Sequence, residues 1–191
     1  NTPGLRIVCC FGFIAVVVPI LIAFGRRLWK SYMTRQVLRD LHPFYTPQEV
    51  QNATRYYVET RCQNIAPSKD QEPGRTHAFA TDKPAIPFFL TRAFPMAQDD
   101  CRFYIILADS GMGKTTFLLN LYLRYVHQFV ISSPPYHIRL FPLNYPDIDE
   151  KIKDVKEKEK TILLLDAFDE DNRAVQNHQD RLQTLIRLVC D

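Results

Sequence analysis

The chain has 191 residues, 46% of them hydrophobic and 24% charged, with a net charge of +3. That length allows one globular domain with extensions, and the composition excludes a disordered, collagen-like or disulfide-dense chain. The charge is too mild to indicate nucleic-acid binding, and five cysteines (Cys9, Cys10, Cys62, Cys101, Cys190) form neither a zinc pattern nor a disulfide framework.

Ile7 to Phe24 is a run of eighteen residues without a charge, followed by Arg26 and Arg27. Crossing ~30 Å of hydrocarbon takes ~17–25 apolar residues, so the run predicts a transmembrane helix (residues 1–25), kinked at Pro19 and contacting the lipid bilayer through residues 7–24. A cleaved signal peptide is the rival, but a basic n-region is nearly absent and the positive charges follow the apolar run. By the positive-inside rule those charges place the chain single-pass in the plasma (inner) membrane, N-out and C-in, with everything downstream cytoplasmic. The first residue is Asn rather than Met, and the chain reads as a piece of a longer polypeptide.

Residues 26–79 read as a juxtamembrane helical linker region. Arg27 to Leu41 has apolar residues at helical spacing with basic ones between, fitting an interfacial or a plain linker helix. Thr46-Pro47-Gln48-Glu49 is a capping box with Pro at the first helical position, predicting a helix from Pro47 to about Arg61. The sequon Asn52-Ala53-Thr54 falls inside that helix and is discounted. From Gln63 to Pro87 prolines and polar residues describe an irregular segment. The nucleotide-binding region is placed after it, at residues 80–191.

Phe103 to Leu107 are strand formers, and Ala108-Asp109-Ser110-Gly111-Met112-Gly113-Lys114-Thr115 follows, then Thr116 and an apolar helical pattern. Strand, glycine loop and helix make the phosphate-binding P-loop pattern, with Ala108 where Gly is usual. Gly111 and Gly113 let backbone N–H groups converge on phosphate oxygens, and the helix N-terminus points its positive end at the same anion. Lys114 supplies a mobile charge and Thr115 a hydroxyl for Mg2+. Phe117, Leu118, Leu121, Tyr122 and Tyr125 form one helix face, core rather than a base-stacking platform. His137 to Leu143 predicts a short strand, and the charged stretch Asp147 to Lys160 a solvated helix without chemistry.

Thr161 to Asp171 (TILLLDAFDED) places four aliphatics before a cluster of acids. Such a run fits a strand buried on both faces in a parallel sheet, and in open α/β sheets ligands gather at the strands' carboxyl ends. One carboxylate there can hold Mg2+ against nucleotide phosphates, and a second can orient or deprotonate the attacking water. Gln176 to Cys190 predicts a helix presenting Leu182, Leu185, Ile186 and Val189.

The order Asp166, Ala167, Asp169, Glu170, together with the loop ADSGMGKTT, resembles the NACHT group of STAND ATPases, signalling switches that include bacterial antiphage proteins; the likeness covers residues 80–191. It implies an α/β fold, a parallel P-loop NTPase sheet with flanking helices, incomplete here because the strand carrying sensor 1 would follow residue 191. It implies ATP and Mg2+ as ligands, residues 108–116 as the nucleotide-binding loop, Thr115 and Asp166 as metal ligands, and Glu170 as catalytic acid with Asp169 as runner-up. It also implies self-association and ATP hydrolysis in the full-length protein, the fragment alone being inactive. A membrane-associated motor or transporter-associated ATPase is the alternative, and the motifs themselves leave ATP against GTP open.

Overall fold

The computed structural model describes residues 18–21, 23–25, 27, 31–62, 83–95, 103–109, 111–129 and 134–190. The chain divides into two units, Asn1–Pro43 and Phe44–Asp191. In the first, residues 31–41 are helical (α1), as the spacing of Arg27 to Leu41 predicts. Residues 1–17 and 22 of the expected anchor lie outside the described residues. Among the described residues no helix is long and apolar enough to cross a membrane. The expected transmembrane helix, and with it the single-pass inner-membrane placement, is therefore corrected: the described apolar stretch falls short of a bilayer's thickness.

The second unit opens with α2, Pro47–Arg55, started by the predicted capping box. Glu49 N–H donates to Thr46 Oγ1 at 3.2 Å, and Thr46 N–H donates to Glu49 Oε2 at 2.7 Å. The helix stops earlier than expected, because Tyr56 closes it and the chain then pairs Arg61–Cys62 (β1) with Lys83–Pro84 (β2) in a minimal antiparallel ladder. Ala85–Phe88 (α3) runs into a π-helical turn, Phe89–Ala93. These two short pieces bury Ile86, Phe89 and Ala93.

Lys114–Gln128 is α4, and Phe117, Leu118, Leu121, Tyr122 and Tyr125 are all buried on it. Tyr125 also spends its hydroxyl locally, donating to the Tyr136 carbonyl at 2.8 Å, so its ring is core and its polar end is satisfied. His137–Pro142 (β3) and Thr161–Asp166 (β4) pair in parallel, with His137 opposite Thr161 and Pro142 opposite Asp166. Between them come α5, Ile148–Lys153, and a 3₁₀ turn, Lys158–Lys160. After β4 a second 3₁₀ turn, Phe168–Glu170, leads to α6, Asn172–Gln176, and α7, His178–Cys190.

Among the described residues the fold is thus mixed helical with two separate two-stranded sheets, one antiparallel and one parallel. This corrects the expected P-loop NTPase sheet. Among the described residues Phe103–Leu107 joins no sheet; Ile105 and Leu107 are 69% and 68% exposed, and Tyr104 packs edge-on against Phe89 with ring centroids 5.8 Å apart. A buried parallel strand needs neighbours on its edges and cover on its faces. The β3–β4 pair provides neither for this segment. For the same reason β4 is not buried on both faces: Leu164 and Asp166 are buried, while its other residues are half-exposed.

A core cluster of Phe141, Leu143, Ile148, Ile152 and Leu185 ties β3, α5 and α7 together. Ile148 and Ile152 belong to the stretch read as a solvated helix. Four positions apart, they lie on one face and turn it inward, leaving Glu150 and Lys151 outside. On α7 the buried residues are Arg181 and Leu185, whereas Leu182 and Ile186 are partly exposed.

Candidate functional site

The glycine loop is bent as the sequence requires. Gly111 and Gly113 have φ of +77° and +78°, a region that side chains with a Cβ avoid. Gly113 is the N-cap of α4 and no side chain caps that end, so the first amides of a fifteen-residue helix face outward with the positive end of its dipole. Around a Cβ placed on Gly111 nothing lies within 4 Å, and on Gly113 only Thr116 Cβ, at 3.7 Å. Ala108, Asp109 and Met112 are exposed, and the Met112 N–H donates to the Asp109 carbonyl at 3.2 Å. Thr115 is exposed and Thr116 half-buried, its carbonyl accepting from Asn120 Nδ2. Ser110 lies outside the described residues.

The acidic turn reaches this loop. Lys114 Nζ lies 3.1 Å from Asp169 Oδ2 and donates to the carbonyls of Ala108 and Asp109 at 3.1 and 3.3 Å. The hydrogen bond from Lys114, with a backbone N–H in support, holds the Asp169 carboxyl below the usual carboxylate range. The two motifs are therefore in direct contact.

Asp166 ends β4, 4% exposed, and its carbonyl accepts from Leu143 N–H across the pair. Its Oδ2 accepts from the Tyr45 hydroxyl at 3.2 Å, a contact between residues 121 apart in sequence. Burial above all, then the negative charge of Asp166 and the hydrogen bond to it, pushes the Tyr45 phenol far above its ordinary range and keeps it a donor. Glu170 is exposed and accepts from Asn144 Nδ2 at 2.9 Å. Ala167, between Asp166 and the turn, sits at φ +59°, a left-handed conformation costing roughly 1–2 kcal/mol for a non-glycine residue. That kink separates the direction of Asp166 from that of Asp169 and Glu170.

Behind the turn lies an ion cluster. Arg181, 2% exposed, donates from Nε to Asp171 Oδ2 at 2.6 Å and from Nη1 and Nη2 to Asp149 at 2.9 and 2.7 Å. Arg173 also pairs with Asp149, and its N–H donates to Asp171 Oδ1 at 3.0 Å, which caps α6. Burial pushes the Asp149 carboxyl up, but the hydrogen bonds and charge of Arg181 and Arg173 outweigh it and leave the group below its ordinary value. A cavity of about 260 Å³ opens on this side, lined by Asn144, Tyr145, Asp171 and Arg181 among others; Lys114 is not part of its wall.

Among the described residues no cluster of three or more His, Cys, Asp or Glu could hold a metal ion by itself. The expected Mg2+ donors, the Asp166 carboxylate and the Thr115 hydroxyl, are hard oxygens, the first buried and the second exposed. Such a set suits an ion that takes its remaining ligands from phosphate and water. Tyr45, Asn144, Asp149 and Arg181 were not among the residues singled out from the sequence. Their spacing carries no signal, since each meets the site only through the fold. No known family model, curated protein or solved structure significantly matches this chain.

Proposed function

We propose that residues 108–116 bind the phosphates of ATP with Mg2+, and that the whole protein hydrolyses the nucleotide as a switch of the NACHT/STAND type. The observation that carries this reading is the 3.1 Å contact between Lys114 and Asp169. It brings a glycine loop at an uncapped helix N-terminus against the acids that follow a β-strand, the arrangement that Mg–nucleotide chemistry needs.

The amides at the start of α4 and the Lys114 ammonium bind phosphate oxygens. Thr115 and Asp166 would hold the metal, which when bound neutralises charge developing on the phosphates. Both acids are exposed, but Asp169 is engaged by the Lys114 charge, whereas Glu170 is steadied by the neutral Asn144 amide. Glu170 is therefore the carboxylate available to orient a water. Any output through self-association belongs to the switch reading and rests on the same site.

Binding of a fluorescent ATP analogue in the presence of Mg2+ tests the proposal. The wild-type chain is expected to bind and Lys114→Ala to lose binding, with both chains folded by circular dichroism. Equal affinity in the two would refute it.

A further inference from the structure

The segment before α2 enters the proposed metal site. Tyr45 is 6% exposed and directs its hydroxyl at Asp166 Oδ2, so one of the two carboxylate oxygens has a fixed partner. Three independent contacts hold that segment in place. Phe44 packs edge-on against Phe141 and Tyr145, with ring centroids 5.5 and 4.9 Å apart. Thr46, next to Tyr45, is locked by the capping box with Glu49. Farther along α2, the Ala53 carbonyl accepts from Asn120 Nδ2 of α4 at 2.9 Å, and α4 begins at Lys114.

We infer that Tyr45 is a positioning residue for Asp166: by engaging Oδ2 it leaves Oδ1 to face the cation, and it links metal binding to the segment 44–55. The inference rests on the proposed nucleotide site and adds to it a residue far outside both motifs. A carboxylate that must serve a metal with one oxygen is oriented by whatever holds the other. Losing such a partner lowers metal affinity by about 10–100-fold in known sites. Among the described residues Tyr45 supplies the side-chain hydrogen bond seen at Asp166.

Mn2+ binding to the 191-residue chain, followed by electron paramagnetic resonance with ATP present, is the test, alongside binding of the fluorescent ATP analogue without metal. Tyr45→Phe keeps the ring and removes the donor. It is expected to weaken Mn2+ binding about tenfold or more while leaving metal-free nucleotide binding unchanged. In an Asp166→Asn background the same substitution should have no further effect, because the two residues act as one unit. Unchanged Mn2+ affinity in Tyr45→Phe, or an equal loss of metal-dependent and metal-free binding, would overturn the inference, the second result marking a purely structural role. Should Tyr45→Phe fail to fold, Thr46→Ala decides instead: it unlocks the segment at an exposed position, and a Mn2+ affinity equal to wild type overturns the inference while a severalfold loss supports it. If the wild-type chain binds no Mn2+–ATP, the nucleotide site itself is wrong and this inference falls with it.

Discussion

Replacing Arg181 tests the architecture behind the acidic turn. Its guanidinium is buried and makes three charge-assisted hydrogen bonds, one to Asp171 and two to Asp149. Arg181→Met fills similar volume but leaves Asp171, itself 4% exposed, without its charged partner, and leaves Asp149 with Arg173 alone. Removing one member of a buried ion pair costs about 3–5 kcal/mol, because the remaining charge is neither solvated nor compensated. For a domain of this size that corresponds to a fall in Tm of roughly 6–20 °C. Arg181→Lys restores the charge without the planar fork and should recover part of the loss. Urea unfolding followed by circular dichroism gives the free energies directly. A loss below about 1 kcal/mol for Arg181→Met would refute the reasoning and place the cluster in the class of solvent-screened pairs. A second consequence is local: Asp171 caps α6 and follows Glu170 directly, so the variant should also raise hydrogen-exchange rates at residues 168–173.

Three further outcomes follow from named contacts. Asp169→Asn removes an exposed partner of Lys114 worth about 0–1 kcal/mol, so stability should barely move while affinity for Mg–ATP, read by fluorescence titration, rises by up to about fivefold; weaker binding would show that Asp169 serves the ligand. Asp149 has a folded-state carboxyl held below its ordinary value of 3.8, so the unfolded chain takes up its proton first. Its stabilisation is therefore present above roughly pH 4 and lost as pH falls further, and Asp149→Asn should flatten the stability profile below that pH in acid titrations. Ile152, fully buried between β3 and α7, should cost about 2–5 kcal/mol on replacement by Ala, measured by urea unfolding; a value under ~1 kcal/mol would mean that the cluster collapses onto the gap.

Local chemistry was legible in the sequence where a short segment decides its own conformation. Thr46, Pro47 and Glu49 start α2 by hydrogen bonds within four residues, and the apolar spacing from Phe117 to Tyr125 sets the buried face of α4. The β4 aliphatics form a strand, and Lys114 and Asp169 meet. Legibility ended where an element depends on distant cover. Phe103–Leu107 has every local property of a buried strand and lacks only neighbours, which no window of sequence reports. The charged run from Asp147 hid Ile148 and Ile152 because two apolar positions one turn apart suffice to anchor a six-residue helix. Arg181 carries no signal in the sequence, since a charge on an amphipathic helix points to solvent unless its partners are known. The apolar run from Ile7 predicts a bilayer span by its length, its lack of charge and its basic flank, and the described helical residues do not supply that length.

Several charged groups of the proposed site already have a protein partner: Lys114 has Asp169 and two carbonyls, Asp166 has Tyr45, and Glu170 has Asn144. Ligand binding there would be an exchange of partners, and its free energy a set of differences. For Lys114 the difference is favourable, because an exposed pair worth about 0–1 kcal/mol gives way to charge-assisted bonds worth about 1.5–3 kcal/mol. For Asp166 it depends on whether Tyr45 stays, since a buried carboxylate that kept its donor would meet the cation already oriented. The α4 amides stand apart, having no side-chain cap to surrender. They give up hydration but no protein partner, so the glycines that expose them contribute to affinity alongside the Lys114 charge. Gly113→Ala should therefore weaken nucleotide binding more than Asp169→Asn changes it in either direction, the strain of a Cβ at φ +78° adding to the displaced amides.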